Sequence, residues 1–196
     1  MSPRNYDMTK RAAAADATRQ RIVEATMELH GSQGIRQTSW DDIAKRAGVG
    51  VGTVYRHFPS LDQLIPACGA LTFQQIALPE DVPALFEGAG SPHERIARLV
   101  GVLGDIYERG GPQIDTTARE RHYFEPVAQG HQELEDAFDA LVTEALRPLG
   151  RGAQRVAAVR GMTSHGAWKA MREAGLSAAE AKKALTDALA AWLTQP

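Results

Sequence analysis

The stretch Thr38–Phe58 (TSWDDIAKRAGVGVGTVYRHF) constrains this chain more than any other part of it. Its spacing predicts two short helices around a tight turn. Thr38 and Ser39 each have an aspartate three residues on, Asp41 and Asp42, so either can cap the first helix through a capping box. Ile43, Ala44 and Ala47 fall on one apolar face at helical spacing. Gly48 follows, the residue type best able to take the left-handed conformation that ends a helix. Val49 plugs the corner, a second helix runs from about Gly50 to His57 with Val54 inward, and Phe58 closes the unit. Small Ala44, the turn at Gly48 and β-branched Val54 let two helices cross closely at a steep angle, as a helix-turn-helix requires. The second helix keeps an exposed face of Val51, Thr53, Tyr55, Arg56 and His57. Such groups meet methyls, base edges and phosphates in a major groove, so the stretch is expected to read DNA.

Around this core, Gly34, Thr38-Ser39, Ile43-Ala44, Ala47-Gly48-Val49, Gly52-Thr53-Val54-Tyr55 and His57-Phe58-Pro59-Ser60 with Leu64 resemble the N-terminal domain of TetR-family transcriptional regulators. The resemblance runs over roughly residues 18 to 64, with many positions in register. It implies an all-α fold: an N-terminal three-helix DNA-binding domain with a helix-turn-helix, followed by a C-terminal helical ligand-binding and dimerisation domain. The corresponding division is a flexible arm over 1–15, a DNA-binding domain over 16–62 and a regulatory domain over 63–196. Helix geometry and the resemblance together assign Tyr55 and Thr53 to phosphates, Lys45 and Arg36 to electrostatic attraction, and Val51, Gly52, Arg56 and His57 to bases. Thr38 and Ser39 join this DNA-binding set at the start of the first helix-turn-helix helix. Regulators of this kind are repressors that bind a near-palindromic operator as homodimers. They release the double-stranded DNA when a small molecule enters the body and moves the fourth helix.

Three residues depart from the family pattern. His30 stands where an aromatic, usually Phe, packs under the recognition helix, and is expected to be semi-buried and hydrogen-bonded to backbone rather than to serve as a pH switch. Trp40 replaces a small aliphatic residue and can pack on the first helix or on sugar-phosphate. Leu61 replaces a lysine that contacts a phosphate, leaving the free backbone N–H groups of the fourth helix to do so.

Charge supports the same reading only when it is resolved along the chain. The net charge is −2 over 196 residues, yet residues 1–60 hold nine Lys/Arg against six Asp/Glu, while 61–196 hold thirteen against eighteen. A basic N-terminal part on an acidic body provides a local footprint for phosphates. Cys68 is alone, which excludes an internal disulfide, suits a reducing cytoplasm, and with uncharged neighbours reads as structural. No signal peptide and no run of ~18 apolar residues is present, so a cytoplasmic protein without a membrane span is expected.

Residues 1 to about 10 read as disordered, with Arg4, Lys10 and Arg11 able to form a minor-groove arm or a solvated tail. The first helix is expected to start between Lys10 and Thr18, to bury Ile22, Val23, Ala25, Thr26 and Leu29, and to end at Gly31 and Gly34. The fourth runs from Leu61 towards Gln75 behind Ser60, with Pro66 inside it. After loops that bracket at most one turn at Ala84–Phe86, Ser91-Pro92-His93-Glu94 is a strong helix start. That helix is expected to end at Gly110-Gly111-Pro112. A short one follows from about Thr116 to Phe124, broken by Pro126, and another from His131 to about Leu146, ended by Pro148 and Gly150. A helix over Gly152–Ala174 rich in small residues and one opened by the Ser177–Glu180 capping box complete the chain. Arg119-Glu-Arg-His122 reads as a solvated helix face.

The last two helices carry a narrow seam suited to half of a four-helix bundle across a two-fold axis, as the resemblance also implies. Its expected members are Val156, Val159, Thr163, Gly166, Ala167, Ala170, Ala181, Leu185, Ala188, Leu189 and Trp192. Expected liners of the effector pocket are Phe73, Phe86, Leu103, Tyr107, His122, Tyr123, Phe124, Met162, His165, Trp168 and Met171. Tyr107, His122 and Trp168 would orient a polar atom of an apolar or aromatic ligand. No cofactor or metal is expected, because the histidines at 30, 57, 93, 122, 131 and 165 lack zinc-site spacing, and no Gly-x-Ser-x-Gly or phosphate loop occurs. An enzyme is therefore not expected. The remaining alternatives are a DNA-binding protein without an effector and a helix-turn-helix scaffold that no longer reads DNA.

Overall fold

A computed structural model describes residues 3–149 and 152–194, with side chains from residue 8 onward. The fold is all-α. Among the described residues the helices are α1 (Pro3–Gln33), α2 (Trp40–Ala47), α3 (Val51–His57), α4 (Leu61–Ile76), α5 (Val82–Leu85), α6 (Pro92–Glu120), α7 (Glu125–Ala145), α8 (Ala153–Met162), α9 (His165–Glu173) and α10 (Ala178–Leu193), with no strand. They form two compact units. One holds the residues up to Phe73 together with Asp115–Gly130; the other holds Gln74–Ile114 and the residues from His131.

In the first unit, α1 begins at Pro3 rather than between Lys10 and Thr18. Proline is tolerated at a first helical position, no Gly or Pro interrupts Arg4 to His30, and Ala12–Ala15 favours helix, so nothing stops propagation towards the N-terminus. The side chain of Arg4 lies outside the described ones. Gly31 is carried within α1, and Gly34 alone ends it, at φ +91° with its N–H on the His30 carbonyl at 3.1 Å. The capping box of α2 belongs to Ser39 and Asp42, while Thr38 turns back to donate its hydroxyl to the Gly34 carbonyl at 2.6 Å. Ile22, Ile43, Val54, Phe58 and Leu64 make a fully buried core, each contributing about 1.5–3 kcal/mol by leaving water. Trp40 and Leu61 lean on it from the rim. A second small cluster joins Ile35, Ile65 and Val127, with Leu61 and Phe124 against it.

His30 is buried, but its ring does not bond to backbone as expected. Its Nδ1 lies 3.8 Å from the Cys68 sulfur, and its Nε2 has no hydrogen-bond partner. The backbone carbonyl of His30 accepts from the Thr116 hydroxyl at 2.8 Å. Burial pushes the imidazole down to about 4 and the Cys68 thiol up to about 12, so both groups stay neutral at pH 7.

The second unit departs from the sequence expectation at its glycines and prolines. Gly110-Gly111-Pro112 does not end α6, which runs on to Glu120. These glycines serve close packing: a Cβ on Gly110 would strike the Ile76 side chain, and one on Gly111 would lie 2.6 Å from His165 Nε2. Pro126 does not break a helix either; it lies in the first turn of α7, where its missing N–H costs nothing, so α7 starts at Glu125 rather than His131. A 3-10 turn at Arg147–Leu149 follows, and Gly150 lies outside the described residues. The expected single helix from Gly152 is two, α8 and α9. Ser164 caps α9 by accepting from the Ala167 N–H, and the Thr163 carbonyl freed at the break accepts from the Tyr107 hydroxyl at 2.8 Å. The Ser91–Glu94 and Ser177–Glu180 boxes both form. Buried Arg95 donates to the carbonyls of Ala145 at 2.9 Å and Phe86 at 3.3 Å, satisfying orphan acceptors where α7 and α5 end.

Gly48 sits at φ +66° with no atom near an added Cβ, so Gly48→Ala is expected to cost only the left-handed strain, about 1–2 kcal/mol. Gly34→Ala meets that strain and the Glu120 carboxylate as well, and should have the lower midpoint of the two in denaturant titration. His30 is held neutral when folded but binds a proton near pH 6.5 when unfolded. Its share of stability is therefore intact above about 6.5 and falls by about 1.4 kcal/mol per pH unit as pH drops towards 4. The His30→Phe variant should lose that slope between pH 6.5 and 5, read from denaturant midpoints.

Candidate nucleic-acid interface

The interface is built by two short helices whose ends are fixed independently. At the N-terminus of α2, Ser39 Oγ accepts from the Asp42 N–H at 3.1 Å and the Asp42 carboxylate accepts from the Ser39 N–H at 3.0 Å. These hydrogen bonds hold the Asp42 carboxyl below the usual carboxylate range. At the other end Gly48 takes φ +66°, and the Val49 N–H returns to the Ala44 carbonyl at 3.0 Å. Gly50 then opens α3 without a side-chain cap. The crossing buries Ile43, Ala44 and Ala47 of α2 against Val54 of α3. Because only Val54 of α3 points fully inward, the opposite face is free.

That face carries Val51 (38% exposed), Gly52, Tyr55 (46% exposed) and Arg56, adjacent on the helix at a spacing of one and four residues. Nothing lies within 4 Å of a Cβ added to Gly52. Thr53 and His57 are half-buried at its edges. Tyr55 is braced by Trp40, their ring centroids 4.8 Å apart, so Trp40 packs within the protein and orients an exposed tyrosine. Lys45 is exposed on α2; Arg46 beside it pairs with Glu28 of α1. Arg19 lies over the Phe58 ring at 4.7 Å. Leu61, in place of a lysine, is half-buried on both hydrophobic clusters of this unit, which accounts for its apolar character.

Arg36 differs from a free surface cation. Its backbone N–H donates to Glu120 at 3.0 Å, and its guanidinium lies 4.1 Å from the Tyr123 ring centroid. Glu120 comes from the Arg-Glu-Arg-His run that reads as a solvated face. No sequence signal indicates a partner 84 residues away.

The expected effector liners do not share one environment. Phe86, Leu103, Tyr107 and Trp168 are buried in the second unit, with His165 and Met171 half-buried there. Tyr107 meets His165 and Trp168 with ring centroids 5.2 and 6.3 Å apart. Its phenol, pushed upward by burial, already donates to Thr163, and the Trp168 indole donates to Glu108 at 2.9 Å. The Trp168 donor is therefore taken, and the Tyr107 hydroxyl keeps only its acceptor capacity towards a ligand. Met162 is 45% exposed and encloses nothing. Phe73, His122, Tyr123 and Phe124 belong to the first unit. Of these His122 is exposed, and Tyr123, 58% exposed, is engaged by Arg36.

The expected dimer seam also divides. Val159, Thr163, Ala181 and Leu189 are buried within their own chain, because they lie on the inner faces of α8 and α10. They cannot meet a partner. Gly166, Ala170 and Ala188 are exposed, and Val156, Ala167, Leu185 and Trp192 half-buried. Among the described residues no helix is long and apolar enough to cross a membrane, and no group of three His, Cys, Asp or Glu is placed to hold a metal.

Comparison with known proteins places this geometry. Residues 22–68 match the family described as bacterial regulatory proteins, tetR family. The HTH-type transcriptional repressor KstR of Mycolicibacterium smegmatis is 34% identical over 91 residues, covering 46% of this chain and 44% of that protein. KstR of Mycobacterium tuberculosis is 30% identical over 131 residues, covering 65% and 58%. The regulator SrpR of Pseudomonas putida is 49% identical over 49 residues, covering 25% and 23%. The chain thus spans about half or less of the length of most of these relatives. In fold, it is similar to a TetR-family regulator from Rhodococcus sp. with a TM-score of 0.65 at 18% identity, covering 90% of this chain and 99% of that one. Another Rhodococcus regulator gives 0.66 at 19% identity, covering 87% and 93%. Residues 22–68 thus carry the helix-turn-helix domain of the tetR family of bacterial regulatory proteins, and the chain as a whole shares the all-helical fold of solved TetR-family regulators.

Proposed function

We propose that this protein is a cytoplasmic, ligand-responsive repressor that binds a near-palindromic operator as a homodimer. The observation that supports the reading best is the bare outer face of α3, with Gly52 open and Tyr55 braced by Trp40. A glycine there lets backbone approach DNA closely, while Tyr55 and Thr53 reach phosphates and Val51, Arg56 and His57 reach base edges. Lys45 and Arg36 flank the helix and add phosphate contacts, whereas the hydroxyls of Thr38 and Ser39 already donate to the Gly34 carbonyl and the Asp42 carboxylate and act by setting the start of α2. Lys10 and Arg11, on the exposed first half of α1, extend the footprint in the manner of an arm.

One recognition helix discriminates too little by itself, since each good base contact is worth about 1–3 kcal/mol. Pairing through the exposed members of the α8–α10 seam, Gly166, Ala170 and Ala188 with Leu185 and Trp192, doubles the contacts and makes the operator two-fold. Two relatives are named as repressors, which favours repression over activation. An apolar or aromatic effector would bind the C-terminal helices, where Phe86, Leu103 and the Tyr107–His165–Trp168 cluster supply apolar surface. Such a molecule shifts the protein away from DNA only by its preference for the unbound state.

The test is footprinting and salt titration on the DNA flanking the chain's own gene. A protected near-palindrome is expected, with affinity falling on the order of 10³-fold between about 50 and 200 mM salt if about six phosphates are contacted. Absence of binding even at low salt would sink the reading. Gly52→Ala separates folding from recognition: it should raise thermal stability, by up to about 1 kcal/mol from helix propensity, while weakening operator binding. Weakened binding with lowered stability would instead assign Gly52 a structural role.

A further inference from the structure

The segment Asp115–Gly130, far along the chain, belongs to the same compact unit as the helix-turn-helix. It grips the C-terminal end of α1 and the α1–α2 loop at four points. The Thr116 hydroxyl donates to the His30 carbonyl at 2.8 Å, at the end of α1. The Glu120 carboxylate accepts from the Arg36 N–H at 3.0 Å and occupies the space that the missing side chain of Gly34 leaves. Tyr123 lies under the Arg36 guanidinium at 4.1 Å, and Val127 packs with Ile35 and Ile65. Residues 34–36 are therefore held on both sides, by an apolar contact at Ile35 and polar ones at Gly34 and Arg36. Three residues later this loop delivers Ser39, the cap of α2.

We infer that the corner between α6 and α7 is a positioning element for DNA binding, in which Glu120 sets the α1–α2 loop and Tyr123 presents Arg36 to a phosphate. The inference rests on the DNA-binding reading above. The chemistry favours this division of labour. A carboxylate on a backbone N–H fixes the chain path whatever side chain residue 36 carries. A phenol ring under a guanidinium fixes its plane yet leaves its N–H edge open for bidentate contact with a phosphate. Arg36 and Tyr123 are both exposed, so the pair meets solvent in the free protein. Neither Glu120 nor Tyr123 touches DNA in this account; each acts through Arg36 or its loop.

The experiment uses the full-length protein and two labelled duplexes, the footprinted sequence and a random sequence of equal length, with affinity measured across a salt series. Arg36→Ala should flatten the slope of log K against log salt by about 0.9, the release expected for one phosphate. Tyr123→Ala removes no charge from the protein, yet should flatten it equally; Tyr123→Phe, which keeps the ring, should not. The double variant should bind no more weakly than Arg36→Ala alone. Glu120→Ala is expected to weaken binding on the order of ten-fold. Glu120→Gln, which keeps the acceptor, should recover to within about two-fold. A wild-type slope in Tyr123→Ala together with unchanged affinity in Glu120→Ala would overturn the proposal while leaving the regulator intact. Loss of affinity in Glu120→Ala that Glu120→Gln fails to rescue would overturn the assigned role of the carboxylate. If the wild-type protein binds neither duplex, the DNA-binding reading itself fails, and this proposal with it.

Discussion

The left-handed turn at Gly48 is the constraint on which the rest of the helix-turn-helix unit depends. It lets α2 stop after eight residues and α3 start after three intervening ones, at an angle that seats Val54 on Ile43 and Ala44. A helix that continued through this point would carry Val51, Tyr55 and Arg56 off in another direction and leave Ile43 without cover. The Ser39–Asp42 capping box fixes the other end of α2, so the short helix is determined at both termini rather than by length or propensity. The buried set that results, with Ile22, Phe58 and Leu64, uses every inward position of α2 and α3. What remains outward is a surface the core does not need.

The second unit is organised differently. Its packing is set by places where side chains are absent, at Gly104, Gly110 and Gly111 of α6. A Cβ on Gly104 would lie 2.8 Å from the Trp168 ring and 2.9 Å from the Lys182 stem. Four neighbours thus sit directly on the α6 backbone: Trp168 and His165 of α9, Lys182 of α10, and Ile76 of α4. The end of α4 is held further by Arg109, whose Nε donates to the Ile76 carbonyl at 3.1 Å. Within the second unit α6 thus anchors the aromatic cluster and the end of α4; within the first, Thr116 donates to the His30 carbonyl of α1 and Glu120 accepts from the Arg36 N–H.

The helix-turn-helix was legible because its determinants are local. A cap, an αL glycine and inward hydrophobes lie within twenty residues, and each has one structural meaning there. The capping boxes at Ser91 and Ser177 were legible for the same reason. The misreadings share an opposite cause. Gly110, Gly111, Pro112 and Pro126 carry helix-breaking propensity, yet close tertiary approach explains the glycines, and position in a first turn explains Pro126. Pro112 sits inside α6, where its missing N–H removes one helical hydrogen bond without ending the helix. The break between α8 and α9 went unread because Thr163 and Ser164 mark it only through their hydrogen bonds, and the Glu120 grip because it joins residues 84 positions apart. Seam residues such as Val159 and Ala181 have the right spacing, but spacing alone does not say whether a stripe faces its own core or a partner.

The most direct test of the central claim, that the outer face of α3 is the surface that meets DNA, is an amide chemical-shift map of the labelled protein titrated with duplex at low salt. The account predicts the largest perturbations at residues 39–42 and 50–57, where the α2 cap and the open face of α3 lie. Perturbations confined to α8–α10, with α3 unmoved, would contradict it.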